Sequence, residues 1–169
     1  MLLTSGQRGQ TLHLLDIRNM SLSPSRITCS IGDPLKTTRP GHHLSQLIFE
    51  AYAHDRKLCV VSTIHHYLDR TKDLRGTVTR FFLTTKPPIT SASRDTLRRW
   101  TRDMMKSAGI DLNIFLPHST RSASTSKAAG TLPLSTILST AGWSRESTFT
   151  SHYKRPIAKQ SDFARAVLP

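Results

Sequence analysis

The sequence has little of what marks several common protein classes. Its two cysteines, Cys29 and Cys59, form neither a CxxC pair nor a zinc-ligand spacing, so we expect neither a disulfide scaffold nor a cysteine-based zinc fold. No apolar run approaches the roughly 20 residues of a membrane-spanning helix, and the start lacks the basic and apolar segments of a secretory signal. We therefore expect a soluble protein without a membrane partner, nuclear in a eukaryotic cell and cytoplasmic otherwise.

Acidic residues are also scarce. The 169 residues include 24 Lys and Arg against 11 Asp and Glu, a formal net charge of +13, and the excess is spread over both halves of the chain. Such a charge suits nucleic acid phosphates, anionic lipid surfaces or acidic proteins, and its spread favours a groove that holds a polyanion. Aromatic residues amount to 7% and do not recur among the basic ones, which favours contact with a duplex backbone over base stacking.

Hydrophobic spacing in the first half of the chain predicts both strands and helices. Alternating polar and β-branched residues predict a strand over residues 26–31. Residues 44–52 fit a helix face and a short strand equally well, so periodicity leaves that segment open. A helix is predicted over residues 59–75, ending at Gly76.

A long helix with a basic surface is predicted after Ser93, which fits an N-cap, and it stops before Gly109. Its apolar face is predicted to comprise Leu97, Trp100, Met104 and Ala108. Basic residues coat the remaining surface, and the candidate contacts to DNA phosphates are Arg98, Arg99, Arg102 and Lys106. The alternative for these residues is an ordinary solvated helix face. Three further short helices are predicted over residues 118–129, 133–141 and 144–153.

The motif His118-Ser119-Thr120-Arg121 places an imidazole and a guanidinium on one face of a helix. Alone it is weak evidence, because such pairs arise by chance. It gains weight from an ordered set of residues around it, with Arg8 and Lys36 upstream and Trp143 and Tyr153 downstream.

Taken in that order, the sequence resembles the catalytic domain of the tyrosine recombinases, the integrase-like enzymes of phages and mobile elements, over residues 6 to about 157. The segment Ser5-Gly6-Gln7-Arg8-Gly9-Gln10-Thr11-Leu12 is similar to the corresponding segment of the family members found in eukaryotic mobile elements. The resemblance implies a mainly helical α+β fold whose small antiparallel sheet has a second strand near residues 46–51, with Lys36 on the turn between the strands. It implies DNA recombination and integration through a 3′-phosphotyrosyl intermediate, on double-stranded DNA, by a homo-oligomer that is a tetramer.

Three of the candidate residues have the chemistry to hold a phosphodiester. Arg8 and Arg121 have permanently charged, planar guanidinium groups whose paired N–H donors match two phosphate oxygens. They can stabilise the negative charge that develops on those oxygens in the transition state. Trp143 has an indole N–H that can donate to another phosphate oxygen.

The other three have the chemistry to break the diester. Tyr153 is the candidate nucleophile, and its phenol needs a base or a positive field because its reference pKa is about 10. His118 fits a base or a phosphate ligand, and Lys36 fits the donor of a proton to the departing 5′ oxygen, which is the part the resemblance implies. This chemistry needs neither a metal nor a nucleotide cofactor, because the phosphotyrosine bond conserves the energy of the broken diester.

Each candidate also has a structural alternative. Tyr153 and Trp143 fit packing residues, and Lys36 fits a solvent-exposed turn residue with Lys57 or Lys86 as rivals. The adjacent pairs His42–His43 and His65–His66 lack carboxylate or cysteine partners at ligand spacing, so we expect no metal site.

Two departures from the family pattern lead to further expectations. Thr11 stands where many members have an acidic residue that steadies the first Arg, so we expect Arg8 to be supported from elsewhere. Arg8 also lies close to the start, so we expect a catalytic domain over residues 1–157 that is truncated at its amino-terminal edge, followed by a tail over 158–169. The alternatives to an active enzyme are a noncatalytic DNA-binding relic of a mobile element and a basic RNA-binding protein.

Overall fold

A small antiparallel sheet organises the first half of the protein in the computed structural model, which describes residues 1–36, 38–41, 43–44 and 46–155. Its strands are β1 (Met20–Leu22), β2 (Arg26–Ser30) and β3 (Gln46–Glu50), in the order β1-β2-β3. The strands at 26–31 and 46–51 are thus confirmed, and the ambiguous segment 44–52 contains a strand rather than a helix. β1 is a third strand that the sequence patterns did not predict.

Alternation of side chains gives the sheet one buried face. Its buried residues on the two longer strands are Ile27, Cys29, Leu47 and Phe49. The register pairs Ile27 with Phe49 and Cys29 with Leu47, so the four side chains lie on the same face. This face forms the centre of the larger hydrophobic core, and the sheet therefore anchors the connection between β2 and β3 that carries Lys36.

Helices make up most of the remaining structure. In the described residues they are α1 (Leu2–Ser5), α2 (Gly9–His13), α3 (Val60–Thr71), α4 (Arg94–Ser107), α5 (Ser119–Ala128), α6 (Leu134–Ala141) and α7 (Glu146–His152), with short 3₁₀ turns at Ile17–Asn19 and Lys72–Leu74. The mainly helical α+β prediction is confirmed. The helix predicted over 59–75 is α3 with its 3₁₀ extension, and Gly76 follows it with φ +51°, a conformation that glycine adopts without strain.

α4 begins where the sequence predicts it but buries a different residue. Ser93 caps the helix by accepting a hydrogen bond from the Thr96 N–H at 3.1 Å. Leu97 and Met105 are buried, whereas Met104 is 73% exposed and Ala108 is also exposed, so the predicted apolar face was wrong at these two positions. α4 packs on the short helix α2 rather than on a broad surface, so periodicity alone does not decide which of two adjacent methionines is covered.

The last three helices form a separate, smaller hydrophobic cluster. Its buried residues are Ile137, Ala141, Trp143 and Phe149. α6 ends at Gly142, whose φ of +68° turns the chain toward Trp143. α7 is capped by Arg145 rather than by Ser144, and it ends immediately before Tyr153. The three predicted helices are therefore confirmed with shifted ends, and residues 156–169, including the predicted tail, lie outside the described part of the chain.

None of the helices in the described part of the chain has both the length and the apolar character needed to span a lipid bilayer.

Asp16 ties the start of the sheet to the segment after α3. Its carboxylate accepts hydrogen bonds from the Arg18 backbone at 3.0 Å, from the Arg18 side chain at 2.9 Å and from the Thr79 hydroxyl at 2.8 Å. The bonds from the Arg18 side chain are the main cause that lowers the pKa of Asp16 to about 2, and burial opposes it.

We expect Asp16→Asn to lower the free energy of unfolding by about 1–2 kcal/mol at pH 7. This is less than the full pKa shift implies, because Arg18 is exposed and its charge is screened. The folded pKa lies below the reference value of 3.8, so the stabilisation is complete above about pH 4 and is lost as the pH falls toward 2.

Urea unfolding at pH 7 and pH 2.5 measures the effect, with exposed Asp73→Asn as the control. A difference between wild type and Asp16→Asn that is the same at both pH values would contradict this origin.

Candidate active site

Arg121 is the most buried polar side chain of the site. Its side chain is 2% exposed, although it is charged. Nη1 donates to the Gly6 carbonyl at 2.6 Å, and Nη2 donates to the Ala141 carbonyl at 2.7 Å. Arg121 therefore joins the turn between α1 and α2 to the end of α6. Its partner Gly6 lies 115 residues away in sequence.

Close packing of α1 against α5 brings Gly6 within reach of Arg121. Gly6 has φ +60°, and a Cβ added to it would lie 3.2 Å from Cγ2 of Thr125 on α5. The turn therefore requires glycine for both its backbone angle and its closeness to α5.

Two aromatic rings cover the Arg121 guanidinium. Its Cζ lies 4.2 Å from the centroid of the Trp143 ring and 5.5 Å from the centroid of the Tyr153 ring. The two ring centroids are 4.5 Å apart, so the three side chains form one cluster. Cation–π attraction is strongest when the cation is desolvated, as it is here.

The cluster contains two buried donors without an acceptor. Nε of Arg121 and Nε1 of Trp143 have no hydrogen-bond partner among the described residues. An unpaired buried N–H is costly, and acceptors such as the oxygens of an anion relieve that cost.

Positive charge in the cluster is not neutralised by a carboxylate. The ion pairs of the described residues are Arg18–Asp16, Lys72–Asp69 and Arg80–Asp33, and none of them includes Arg8 or Arg121. Burial, followed by the charge of Arg8, lowers the pKa of Arg121 to about 10, and the Tyr153 hydroxyl opposes this change. Arg121 therefore stays positive at neutral pH, and no carboxylate among the described residues forms an ion pair with it.

Arg8 lies at the start of α2, close enough to Arg121 for its charge to lower the pKa of Arg121. It is the N-cap residue of that helix and is half-buried, and its carbonyl accepts hydrogen bonds from the Thr11 and Leu12 N–H groups. Thr11 donates its hydroxyl to Oε1 of Gln7 at 3.2 Å. Residue 11 thus makes a neutral hydrogen bond to Gln7 and places no carboxylate beside Arg8.

Tyr153 is held at the end of α7 by its backbone. Its carbonyl accepts a hydrogen bond from Oγ of Ser126 at 2.9 Å, and the same Oγ accepts one from the Arg155 N–H at 2.8 Å. Ser126 is buried on α5, one helical turn and a half beyond Arg121. It therefore fixes the phenol-bearing residue to the helix that carries the guanidinium.

The side chains of His118 and Lys36 are exposed, unlike the buried Arg121 and Trp143. His118 is exposed at the residue before α5, and its side chain makes no hydrogen bond with the described residues. Lys36 is exposed in the connection between β2 and β3, again without a hydrogen bond or ion pair in the described part. Lys57 and Lys86 are equally exposed, so burial does not distinguish the three lysines. The structure thus brings together Arg121, Trp143 and Tyr153, with Arg8 near enough for its charge to act on Arg121, and it leaves the side chains of His118 and Lys36 exposed.

The basic candidates on α4 are all at the surface. Arg98, Arg99, Arg102 and Lys106 are exposed, and none of them is in an ion pair with a described residue. α4 packs on α2, the helix that Arg8 caps, so this basic surface belongs to the same region of the fold as the cluster.

Histidines outside the motif have structural contacts. Nε2 of His43 donates to the Ile31 carbonyl at 2.7 Å, and Nε2 of His65 donates to the Ser23 carbonyl at 2.9 Å. In the described ranges no three residues among His, Cys, Asp and Glu are grouped in a way that could hold a metal ion. His42 lies outside those ranges.

Gln7 and Ser126 are contributors that sequence patterns did not identify. Each donates a side-chain hydrogen bond to a distant backbone carbonyl. The partner of Gln7 lies 133 residues away in sequence, and the partner of Ser126 lies 27 residues away. The position of Gln7 next to Arg8 is the one signal in the sequence that points to it.

Comparison with known proteins gives structural matches alone. No protein-family model and no curated protein sequence matches the chain. Among solved structures, a XerA recombinase matches with a TM-score of 0.68 and 20% identity, over 98% of this chain and 52% of that one. The XerH site-specific recombinase matches in its pre-cleavage complex with the difH substrate, with a TM-score of 0.65, 14% identity and coverage of 98% and 44%.

A second XerH structure, the post-cleavage complex with a palindromic difH substrate, matches with a TM-score of 0.66, 15% identity and coverage of 98% and 43%. The chain thus spans about half the length of the structures it matches. Identities this low establish similarity of fold. The protein has a recombinase-like fold, and the cluster around Arg121 is its candidate active site.

Proposed function

We propose that this chain is the catalytic part of a tyrosine-type DNA breaking and rejoining enzyme, a site-specific recombinase or integrase of a mobile element. The observation that carries the proposal is the buried Arg121 guanidinium, which lies against Tyr153, feels the charge of Arg8 and is in no ion pair with a described carboxylate. Two uncompensated cations next to a phenol suit a reaction in which that phenol attacks a phosphate. The recombinase-like fold supports the same function.

In this reaction the Tyr153 hydroxyl oxygen attacks the phosphorus of a DNA phosphodiester. A bond forms between phosphorus and the phenol oxygen, the bond from phosphorus to the 5′ oxygen breaks, and a 3′-phosphotyrosyl intermediate results. His118 takes the phenol proton, and Lys36 gives a proton to the departing 5′ oxygen. Attack by another 5′ hydroxyl reverses these steps and reseals the strand. Each bond that breaks is replaced by one that forms, so the reaction needs neither a metal nor a nucleotide.

The positive cluster acts on the negative charge of the transition state. Arg8 and Arg121 hold the nonbridging oxygens, which carry more charge as the pentavalent phosphorus forms. The unpaired Trp143 N–H and Arg121 Nε gain acceptors when those oxygens are bound. Donors that are already fixed in place need little reorganisation, which is why such sites lower barriers strongly.

Exposed residues complete the site when duplex DNA binds. His118 and Lys36 lie at the surface, so they act on a phosphate that is held against this face. The surface of α4 with Arg98, Arg99, Arg102 and Lys106 extends the positive region along the DNA backbone. Two of the matched structures are recombinase complexes with a DNA substrate, which supports double-stranded DNA as the partner.

The remaining parts of the proposal follow from the family resemblance. The enzyme acts as a homo-oligomer, a tetramer on DNA, in the nucleus of a eukaryotic cell or the cytoplasm of another. Its catalytic domain spans residues 1–157.

A noncatalytic DNA-binding protein is the second candidate. The observation that favours it is that the side chains of His118 and Lys36 are exposed and make no hydrogen bond or ion pair with the described residues. A noncatalytic protein binds duplex DNA without forming a covalent adduct. Detection of an adduct therefore distinguishes the two candidate functions.

Tyr153→Phe is expected to abolish covalent attachment to DNA, because it removes the attacking oxygen and keeps the ring. The full chain is incubated with a pool of nicked suicide duplexes of random sequence, and adducts are counted on denaturing gels. Tyr52→Phe, at an exposed tyrosine far from α7 in sequence, is the matched control and should trap DNA as wild type does. Equal trapping by Tyr153→Phe would show that another residue is the nucleophile, and adduct formation by neither protein would favour the noncatalytic function.

Lys36→Ala is expected to slow cleavage by about 100-fold or more, the usual range for loss of a general acid. A substrate with sulfur in place of the bridging 5′ oxygen should restore most of the rate, because a thiolate leaves without a proton. Lys57→Ala and Lys86→Ala are the controls. If one of these two shows the sulfur rescue and Lys36→Ala does not, that lysine is the proton donor.

Removing charge from α4 is expected to weaken duplex binding mainly at low salt. The triple variant Arg98→Gln, Arg99→Gln, Arg102→Gln should lower the slope of log affinity against log salt by about 2–3, since each phosphate contact contributes about 0.9. The double variant Arg70→Gln, Lys72→Gln removes exposed charge elsewhere and serves as the control. An unchanged slope in the triple variant would contradict a role for α4 in DNA binding.

A further inference from the structure

Gln7 is buried directly beside Arg8 and makes contacts that the sequence does not explain. It is 3% exposed, and its amide lies between two partners. Nε2 donates to the Thr140 carbonyl on α6, and Oε1 accepts from the Thr11 hydroxyl on α2. Its backbone N–H donates to Oγ of Ser5 at 3.3 Å, so the residue is fixed on three sides.

Gln7 repeats the link that Arg121 makes between the same two segments. Arg121 bonds to the carbonyls of Gly6 and Ala141, and Gln7 connects the next residue along to Thr140. Two adjacent residues of the turn are therefore tied to two adjacent residues at the end of α6. A turn held at both points keeps the backbone that leads into Arg8 in one position.

The side chain of Arg8 has no such anchor of its own. It makes no hydrogen bond or ion pair with the described residues, and its position depends on the backbone before and after it. Gln7 controls the backbone before Arg8, and through Thr11 it also contacts the first turn of α2 after Arg8. Both of these contacts are neutral, so they fix Arg8 without reducing the positive charge of the site.

We propose that Gln7 is a positioning residue that holds Arg8 in place to bind a phosphate together with Arg121. The inference rests on the proposed function for the identity of the anion, a DNA phosphodiester. Gln7 itself does not touch the substrate.

Inorganic phosphate is the probe for the first test, which measures the phosphate-dependent rise in melting temperature of the full chain. We expect phosphate to stabilise wild type and to have little effect on Arg8→Ala. Gln7→Ala should bind phosphate about tenfold more weakly, the loss expected when a charge-assisted hydrogen bond is misplaced. Gln10→Ala, at a half-buried glutamine of α2 whose side chain makes no described hydrogen bond, is the matched control and should behave as wild type.

Thr11→Val provides a second variant in case Gln7→Ala does not fold. It keeps the shape of the side chain and removes the hydroxyl that donates to Gln7, so phosphate binding should again weaken. The inference is overturned if a folded Gln7→Ala or Thr11→Val binds phosphate as tightly as wild type, or if wild type does not bind phosphate. Weaker phosphate binding in a protein that forms no DNA adduct supports the inference and contradicts the proposed function.

A neutral substrate separates positioning from a general loss of stability. A methylphosphonate at the scissile position has one negative charge fewer, so its cleavage depends less on Arg8. We expect the loss of adduct in Gln7→Ala relative to wild type to shrink on this substrate, in parallel with Arg8→Ala. An equal loss on the phosphate and methylphosphonate substrates would show a merely structural role and overturn the inference.

Discussion

A buried guanidinium that no carboxylate of the described residues neutralises is the constraint on which the rest of the site depends. Removing a charge from water is costly, and Arg121 offsets that cost with two backbone carbonyls and two aromatic rings. These groups come from the turn after α1, the end of α6, Trp143 and the residue after α7. Because one side chain needs all of them, its burial sets where these short elements end relative to each other. The same contacts place a phenol against a positive charge that no described carboxylate neutralises.

The site divides into a fixed part and an exposed part. Arg121 and Trp143 are buried and held by several contacts, so they are positioned before any ligand arrives. His118, Lys36 and the basic surface of α4 are exposed. In the reaction that we propose, the fixed part supplies preorganised positive charge, and the exposed part supplies proton transfer and long-range attraction. Under that proposal, the exposed residues take up their final arrangement only when DNA is bound.

Sequence patterns predict the elements of this protein better than its contacts. Period-two alternation and capping residues place β2 and the start of α4 correctly, because these signals are local. Residues 44–52 fit the hydrophobic spacing of a helix and of a strand equally well. Pairing with β2 makes the segment a strand, and the residues of β2 lie outside it. For the site, the family resemblance predicts that six ordered residues gather: Arg8, Lys36, His118, Arg121, Trp143 and Tyr153. The structure clusters Arg121, Trp143 and Tyr153 and leaves the side chains of His118 and Lys36 exposed. The role of Gln7 depends on a carbonyl 133 residues away, and no local pattern encodes such a contact.

The central claim is that Tyr153, held against the Arg121 guanidinium, forms the covalent bond to DNA. Its most direct test is to isolate the adduct formed on nicked duplexes, digest the protein and DNA, and locate the attached nucleotide by mass spectrometry of the peptides. The account predicts one modified peptide, with the 3′-phosphate joined to the phenol oxygen of Tyr153. A nucleotide attached to another residue, or a protein that binds duplex DNA and yields no modified peptide, would contradict it.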